Sequence, residues 1–162
     1  MEVYVLVERK QNPVRNICGV ALLVIGIVVG VIGLLGVLVF VPFAIAAIAG
    51  GWILKNANYE YEYSYFDGEF RFARIANKSK RKELRTYSVE ELCFIAPIDD
   101  RAAYQYMNDA KSKKFDYTSN QSENKVYVMV AKTDSDMHVI QFEPDEKYLD
   151  AVCMKYAQKV KR

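Results

Sequence analysis

Tyr59-Glu60-Tyr61-Glu62-Tyr63-Ser64-Tyr65-Phe66-Asp67-Gly68-Glu69-Phe70-Arg71-Phe72-Ala73-Arg74-Ile75 is the stretch on which the reading of this chain turns. Aromatic and polar residues alternate with a period of two, which sorts them onto the two faces of a strand. Asp-Gly between two such runs signals a two-residue hairpin. With Asp67 and Gly68 as the loop, Phe66 faces Glu69, Tyr65 faces Phe70, Tyr63 faces Phe72 and Tyr61 faces Arg74. One face becomes a ladder of aromatic pairs with a cation–π option at its far end, and the other pairs Ser64 with Arg71 and Glu62 with Ala73. The tyrosine stripe reads as the buried face of a sheet.

Toward the C-terminus, a third strand is expected from about Arg81 to Tyr87. Ser88-Val89-Glu90-Glu91 then has the S-x-x-E form of a capping box and can hold a short turn. Leu92 to Ala96 is a continuous apolar run stopped by Pro97, as in a buried strand. Ala103, Tyr104 and Met107 fall at helical spacing within Asp99 to Ala110, while Lys113 to Asn124 reads as a polar loop. Val126 to Thr133 and Met137 to Phe142 form a second hairpin around Asp134-Ser135-Asp136. Pro144-Asp145-Glu146 opens a closing helix with proline near its first position, acids in its first turn and Tyr148, Leu149, Val152, Cys153, Tyr156 and Val160 as its apolar stripe. The sum is six or seven strands and one amphipathic C-terminal helix.

Toward the N-terminus the character changes. Between Arg15 and Lys55 there is no charged side chain, and from Ile17 to Leu54 the chain is almost wholly Val, Ile, Leu, Ala, Gly and Phe. As one helix this run would reach roughly 57 Å, nearly twice the ~30 Å hydrocarbon core of a bilayer. Two passes fit better, with the turn at Gly33-Leu34-Leu35-Gly36 and Pro42 early in the second helix; one long tilted helix or a re-entrant segment stays open. The run is too long for a signal-peptide core. Gly19, Gly26, Gly30 and Gly33 share a face of the first helix, and Ala46 with Gly50, and Ala47 with Gly51, give the second small residues four apart, so that the two helices pack closely or the same face pairs two copies. Trp52 and Lys55 at the exit, and Arg15 at the entry, are the expected interface anchors. Basic residues flank both ends, which favours a multi-pass protein of the cell membrane with both termini cytoplasmic. Residues 1–10 read as an added edge strand or as a juxtamembrane helix.

The expected organisation is therefore an N-terminal cytoplasmic segment (1–15), a transmembrane helical hairpin (16–55) and a cytoplasmic domain (56–162), a membrane-anchored α+β chain with a mainly antiparallel sheet. This order resembles the bacterial pleckstrin-homology-like membrane proteins, with Ser88 to Pro97 and the Phe142-Glu143-Pro144 entry into the last helix as the nearest motifs. The resemblance implies a curled antiparallel sheet plugged at one end by the helix, serving binding and scaffolding, with no catalytic residues. The stretch from Asp99 to Asn124 departs from that plan.

Chemistry is sparse. His138 has no second histidine for a triad, a zinc site or an acid–base pair. Asp134 and Asp136 lack the further oxygens and glycine of a calcium loop. No phosphate-binding glycine loop occurs, a net charge of +2 points to no nucleic-acid partner, and no metal or cofactor is implied. Cys18, Cys93 and Cys153 show no C-x-x-C spacing and read as free, buried thiols in a reducing cytosol. The basic cluster Lys78, Lys80, Arg81, Lys82 and Arg85, placed in a strand-to-strand connection, either sets topology as a solvated loop or contacts anionic lipid head groups. The sequence thus points to a membrane protein presenting a binding or scaffolding domain, with the bilayer as its partner, and not to an enzyme. A structural or regulatory subunit of a larger homo- or hetero-oligomeric membrane complex is the alternative. An enzyme whose carboxylates or tyrosines converge only in three dimensions is the third reading.

Overall fold

The computed structural model describes residues 2–10, 13–34, 36, 40–56, 59–76, 78–134 and 136–162. The chain divides into two compact units, one formed by residues 10–58 and the other by the segment through Arg9 together with Tyr59–Arg162.

The first unit holds helices α1 (Pro13–Leu34) and α2 (Val41–Asn56), packed on each other. A Cβ on Gly26 would lie 2.7 Å from the Cγ1 of Ile48, and one on Gly51 would lie 2.7 Å from the carbonyl oxygen of Gly19. Only residues without a side chain permit that approach, which is how small faces bring apolar helices together. Among the described residues one helix, Pro13–Gly33, is long and apolar enough to cross a membrane; the apolar stretch of the second, Val41–Leu54, is shorter. The apolar run thus forms two helices, one long and one short. α1 ends at Leu34 within the stretch read as the turn, where the Gly36 N–H donates to the Gly33 carbonyl at 3.4 Å and Gly36 takes a φ of +110°, while Leu35 lies outside the described residues.

The second unit begins with strand β1 (Val3–Glu8), followed after the helices by β2 (Tyr59–Phe66), β3 (Glu69–Ala76) and β4 (Lys80–Ser88). These form one antiparallel sheet in that order. The β2/β3 register is the one read from the sequence, residue for residue, from Phe66 opposite Glu69 to Tyr61 opposite Arg74. Asp67 and Gly68 both have positive φ, +46° and +90°, the backbone that a twist-matched two-residue loop requires. The N-terminal segment is a strand: β1 pairs with β2 from Val3–Tyr65 to Glu8–Glu60.

The second sheet contains β5 (Leu92–Pro97), β6 (Lys113–Asp116), β7 (Tyr127–Lys132) and β8 (Met137–Phe142) in the order β5-β7-β8-β6. β6 runs parallel to β8, which corrects the loop reading for Lys113–Asp116 only; residues 117–124 are loop as expected. Helix α3 (Arg101–Asn108) makes the crossover, with Asp100 as its N-cap accepting from the Ala102 N–H. Its Ala103, Tyr106 and Met107 cover one face of the sheet against Val128, Val130 and Val139. On the other face Met129, Ile140 and Phe142 meet Tyr63, Phe70 and Phe72 of the first sheet. Burial on both faces explains the unbroken apolar run of β7.

Helix α4 (Glu146–Tyr156) closes the core with Tyr148, Leu149 and Val152. Asp145, not the proline, caps it, accepting from the Tyr148 N–H at 2.7 Å. Ser88 and Glu91 exchange the two hydrogen bonds of a capping box, yet the box closes a turn between β4 and β5 and no helix follows. Among the described residues there are eight strands in place of six or seven: β1 takes the strand alternative for the N-terminal segment, and β6 is the one not expected.

Candidate functional site: the basic face of β3 and β4

Lys80, Arg81, Lys82 and Arg85 lie on strand β4, not in a connection; only Lys78 occupies the β3–β4 turn. A strand deals consecutive residues to opposite faces. Lys80 stands opposite Ala76, Lys82 opposite Arg74 and Arg85 opposite Phe72, and Arg74 stands opposite Tyr61. Arg74, Lys80, Lys82 and Arg85 therefore share the face that, farther along the sheet, carries the aromatic core. A register shift after Phe72 inserts Leu84 as an extra residue and brings Arg85 back to that face.

Arg81 stands opposite Ile75 on the other face, where its guanidinium binds the Glu62 carboxylate at 2.8 Å. On that face Lys78 lies 3.5 Å from Glu8 and 4.0 Å from Glu60, and Arg71 pairs with Glu69 at 2.6 Å. The acidic positions of β1, β2 and the start of β3 thus neutralise this face. On the core-side face the arginines are held by rings: the Arg74 guanidinium lies 4.7 Å from the centre of Tyr59, and that of Arg85 lies 4.3 Å from the centre of Phe115. Among the described residues none of Arg74, Lys80, Lys82 or Arg85 has a carboxylate within ion-pair distance. One face of the same two strands is balanced and the other is left positive.

At the edge of this face Arg9 donates to the Tyr61 hydroxyl at 3.0 Å. The neighbouring loop is fixed by the buried Glu143, whose carboxylate accepts from the Ser119 N–H and hydroxyl, both at 2.9 Å, and from the Asn124 amide at 2.8 Å. His138 is buried and its Nδ1 lies 3.0 Å from the Tyr87 hydroxyl. Burial, then the charges of Arg85 and Lys113, hold its pKa below the ordinary imidazole value. Burial likewise raises the Tyr63, Tyr87 and Tyr148 hydroxyls, which stay protonated. Among the described residues no group of three or more His, Cys, Asp or Glu side chains is placed to hold a metal ion. The arrangement offers fixed positive charge and aromatic surface, a means of binding anions.

The residues 1–162 match the family described as Bacterial PH-like domain (DUF6106). The chain belongs to that family. No curated protein and no solved structure matches it. In this PH-like domain the apolar helices are inserted between the first and second strands, so the whole domain is split around them in sequence.

The remaining sites named from the sequence lie in the helical unit. Gly26, Gly30 and Gly33 face α2, meeting Ile48, Ala44 and Val41. Ala46 is exposed and Gly50 has no neighbour within 4 Å, so the small face of α2 is the one carrying Ala44 and Gly51. Trp52 is exposed on α2 and Arg15 is half-buried in the first turn of α1; the Lys55 side chain lies outside the described residues. The reading of the cysteines as buried is corrected: Cys18 is exposed on α1, and Cys93 and Cys153 are half-buried. Sequence reading missed the division of the basic cluster between faces. Its signal was the alternation of Lys80, Arg81 and Lys82 once β4 is known to start at Lys80.

Proposed function

We propose that this chain is an integral membrane protein whose apolar helices hold a PH-like binding or scaffolding module at the inner leaflet, with both termini cytoplasmic. The observation that carries the reading is the pairing of β1 with β2. Residues 10–58 leave the sheet after Arg9 and return at Tyr59, and the Arg9 N–H donates to the Tyr59 carbonyl at 3.1 Å. An apolar segment that departs and returns at neighbouring positions of one sheet enters and leaves a bilayer on the same side. α1 supplies a full crossing and the shorter α2 a return that a thinned bilayer or snorkelling end residues accommodate.

The open cations Arg74, Lys80 and Lys82 lie toward the end of the sheet where the chain departs for the helices, since Tyr59 is opposite Ala76 and Ala76 is opposite Lys80, while Arg85 extends the charge to the middle of the sheet. Each gains about 1 kcal/mol near an anionic surface. The module acts by binding, because its charged groups are offered as a surface and its one histidine is engaged by Tyr87.

Reporter fusions at each terminus test the topology: cytoplasmic fluorescence at both is expected, and periplasmic phosphatase activity at either overturns it. For the surface, full-length protein carrying Lys80→Glu with Lys82→Glu should lose the salt-sensitive association of its domain with anionic bilayers, read as protection of the β3–β4 backbone from hydrogen exchange. Arg81→Glu, on the balanced face, should leave that protection unchanged. Equal effects of the two variants would remove the basic face from the proposal.

A further inference from the structure

We propose that β1 is a self-association edge, pairing antiparallel with β1 of a second copy about a two-fold axis at Val5. β1 is the outer strand of its sheet. Because the Arg9 N–H bonds to Tyr59 directly opposite, the alternation of an antiparallel ladder turns the N–H and C=O groups of Val3, Val5 and Val7 toward β2 and those of Tyr4, Leu6 and Glu8 outward. The outward direction is visible at Glu8, whose carbonyl accepts from the Gln121 side chain at 3.2 Å. That contact stops the edge at one end. Among the described residues no strand or backbone group pairs with the outward N–H and C=O groups of Tyr4 and Leu6, and their side chains are exposed, 73% and 49% accessible. Beside the strand, α4 leaves an open apolar groove of about 370 Å³ bounded by Val3, Tyr4, Ala151 and Met154, and among the described residues no strand pairs with the edge there.

The occupant follows from the sequence of the edge itself. A two-fold interface must be self-complementary, each residue meeting in the partner the residue that meets it. Val3-Tyr4-Val5-Leu6-Val7 is nearly symmetric about Val5. With Val5 on the axis, Val3 meets Val7, and Tyr4 meets Leu6 twice, giving two aromatic–aliphatic cross-strand pairs. Tyr4 and Leu6 are also the outward hydrogen-bonding residues, so both pairs close with their backbone groups satisfied and the Glu8 carbonyl stays with Gln121. Glu2 then meets Glu8 of the other copy, where Lys78, 3.5 Å from Glu8, offsets the like charges. An unblocked edge strand otherwise invites irregular aggregation; a symmetric pair closes it.

Full-length protein in mild detergent or bilayer discs tests this. In a background with Cys18, Cys93 and Cys153 changed to serine, Tyr4→Cys chains mixed with Leu6→Cys chains should cross-link several-fold more than either alone. Leu6→Pro removes only an outward N–H and should convert the dimer to monomer without lowering the thermal midpoint of the domain; Leu6→Lys should do the same by charge repulsion and covers the case in which the proline variant does not fold. A monomeric native chain, cross-linking without preference for the mixed pair, or a dimer that survives Leu6→Lys would overturn the proposal. So would occupation of the edge by a strand of another protein in place of a second copy.

Discussion

The backbone N–H of Arg9 donates to the carbonyl of Tyr59 across 3.1 Å, although residues 10–58 lie between them in the chain. This bond makes the apolar helices an insertion within a single sheet and governs how the domain is to be isolated. A fragment starting at Lys55 lacks β1 and exposes the β2 edge with Tyr61, Tyr63 and Tyr65 uncovered on one side. Joining Arg9 to Tyr59 through a four-residue Gly/Asn-rich loop, a common hairpin length, should give a soluble, cooperatively unfolding domain. The fragment without β1 should aggregate. Sedimentation and thermal unfolding distinguish the two; equal behaviour would show that β1 contributes nothing to the fold.

Gly68, at φ +90°, carries the β2–β3 turn. Gly68→Val should destabilise the domain by about 1–3 kcal/mol, because a β-branched residue resists positive φ. Space is not the cause: a Cβ there has its nearest neighbours at 3.6 Å. Gly68→Asn, which tolerates the left-handed region better, should recover most of the loss in chemical denaturation.

In the helical unit, Gly51 and Gly50 are adjacent but unequal. A Cβ at Gly51 would lie 2.7 Å from the Gly19 carbonyl oxygen and 2.8 Å from Leu23, whereas Gly50 has nothing within 4 Å. Gly51→Leu should force α1 and α2 apart and lower the thermal midpoint of the full chain in detergent by several degrees. Gly50→Leu should leave it within error.

His138 stays neutral in the fold because burial and the charges of Arg85 and Lys113 disfavour its protonated form, while Asp136 and Glu91 act weakly the other way. The unfolded chain binds a proton near the ordinary value of 6.5, so stability is fully present above that pH. It falls as the pH drops through it, until the folded form also protonates. His138→Gln, which cannot titrate, should remove this component: unfolding midpoints of the two proteins measured from pH 8 to pH 5 should diverge only below about 6.5. Parallel profiles would assign the acid sensitivity to carboxylates.

Local periodicity and turn chemistry made the β2–β3 hairpin, the β7–β8 hairpin and α4 legible in the sequence. Each of those signals is complete within a short window: alternation sets the faces, Asp67-Gly68 sets the register, and Asp145 with the following apolar stripe starts a helix. β6 was not legible, since Lys113-Lys114-Phe115-Asp116 has no strand pattern of its own and is held as a strand by parallel pairing with β8.

The sequence by itself determined that an uncharged apolar segment precedes a sheet-rich domain, that an aromatic face is buried, and which residues cross the first hairpin. Tertiary structure decided that residues before the helices belong to that domain, because β1 finds its partner only after the chain has passed through residues 10–58. It also decided which cations remain open: Lys80 and Lys82 share a face with Arg74 and Arg85, while Arg81 between them turns to Glu62. Sequence lists charges in order, but ion pairing depends on which strands stand side by side, and that relationship exists only in the folded sheet.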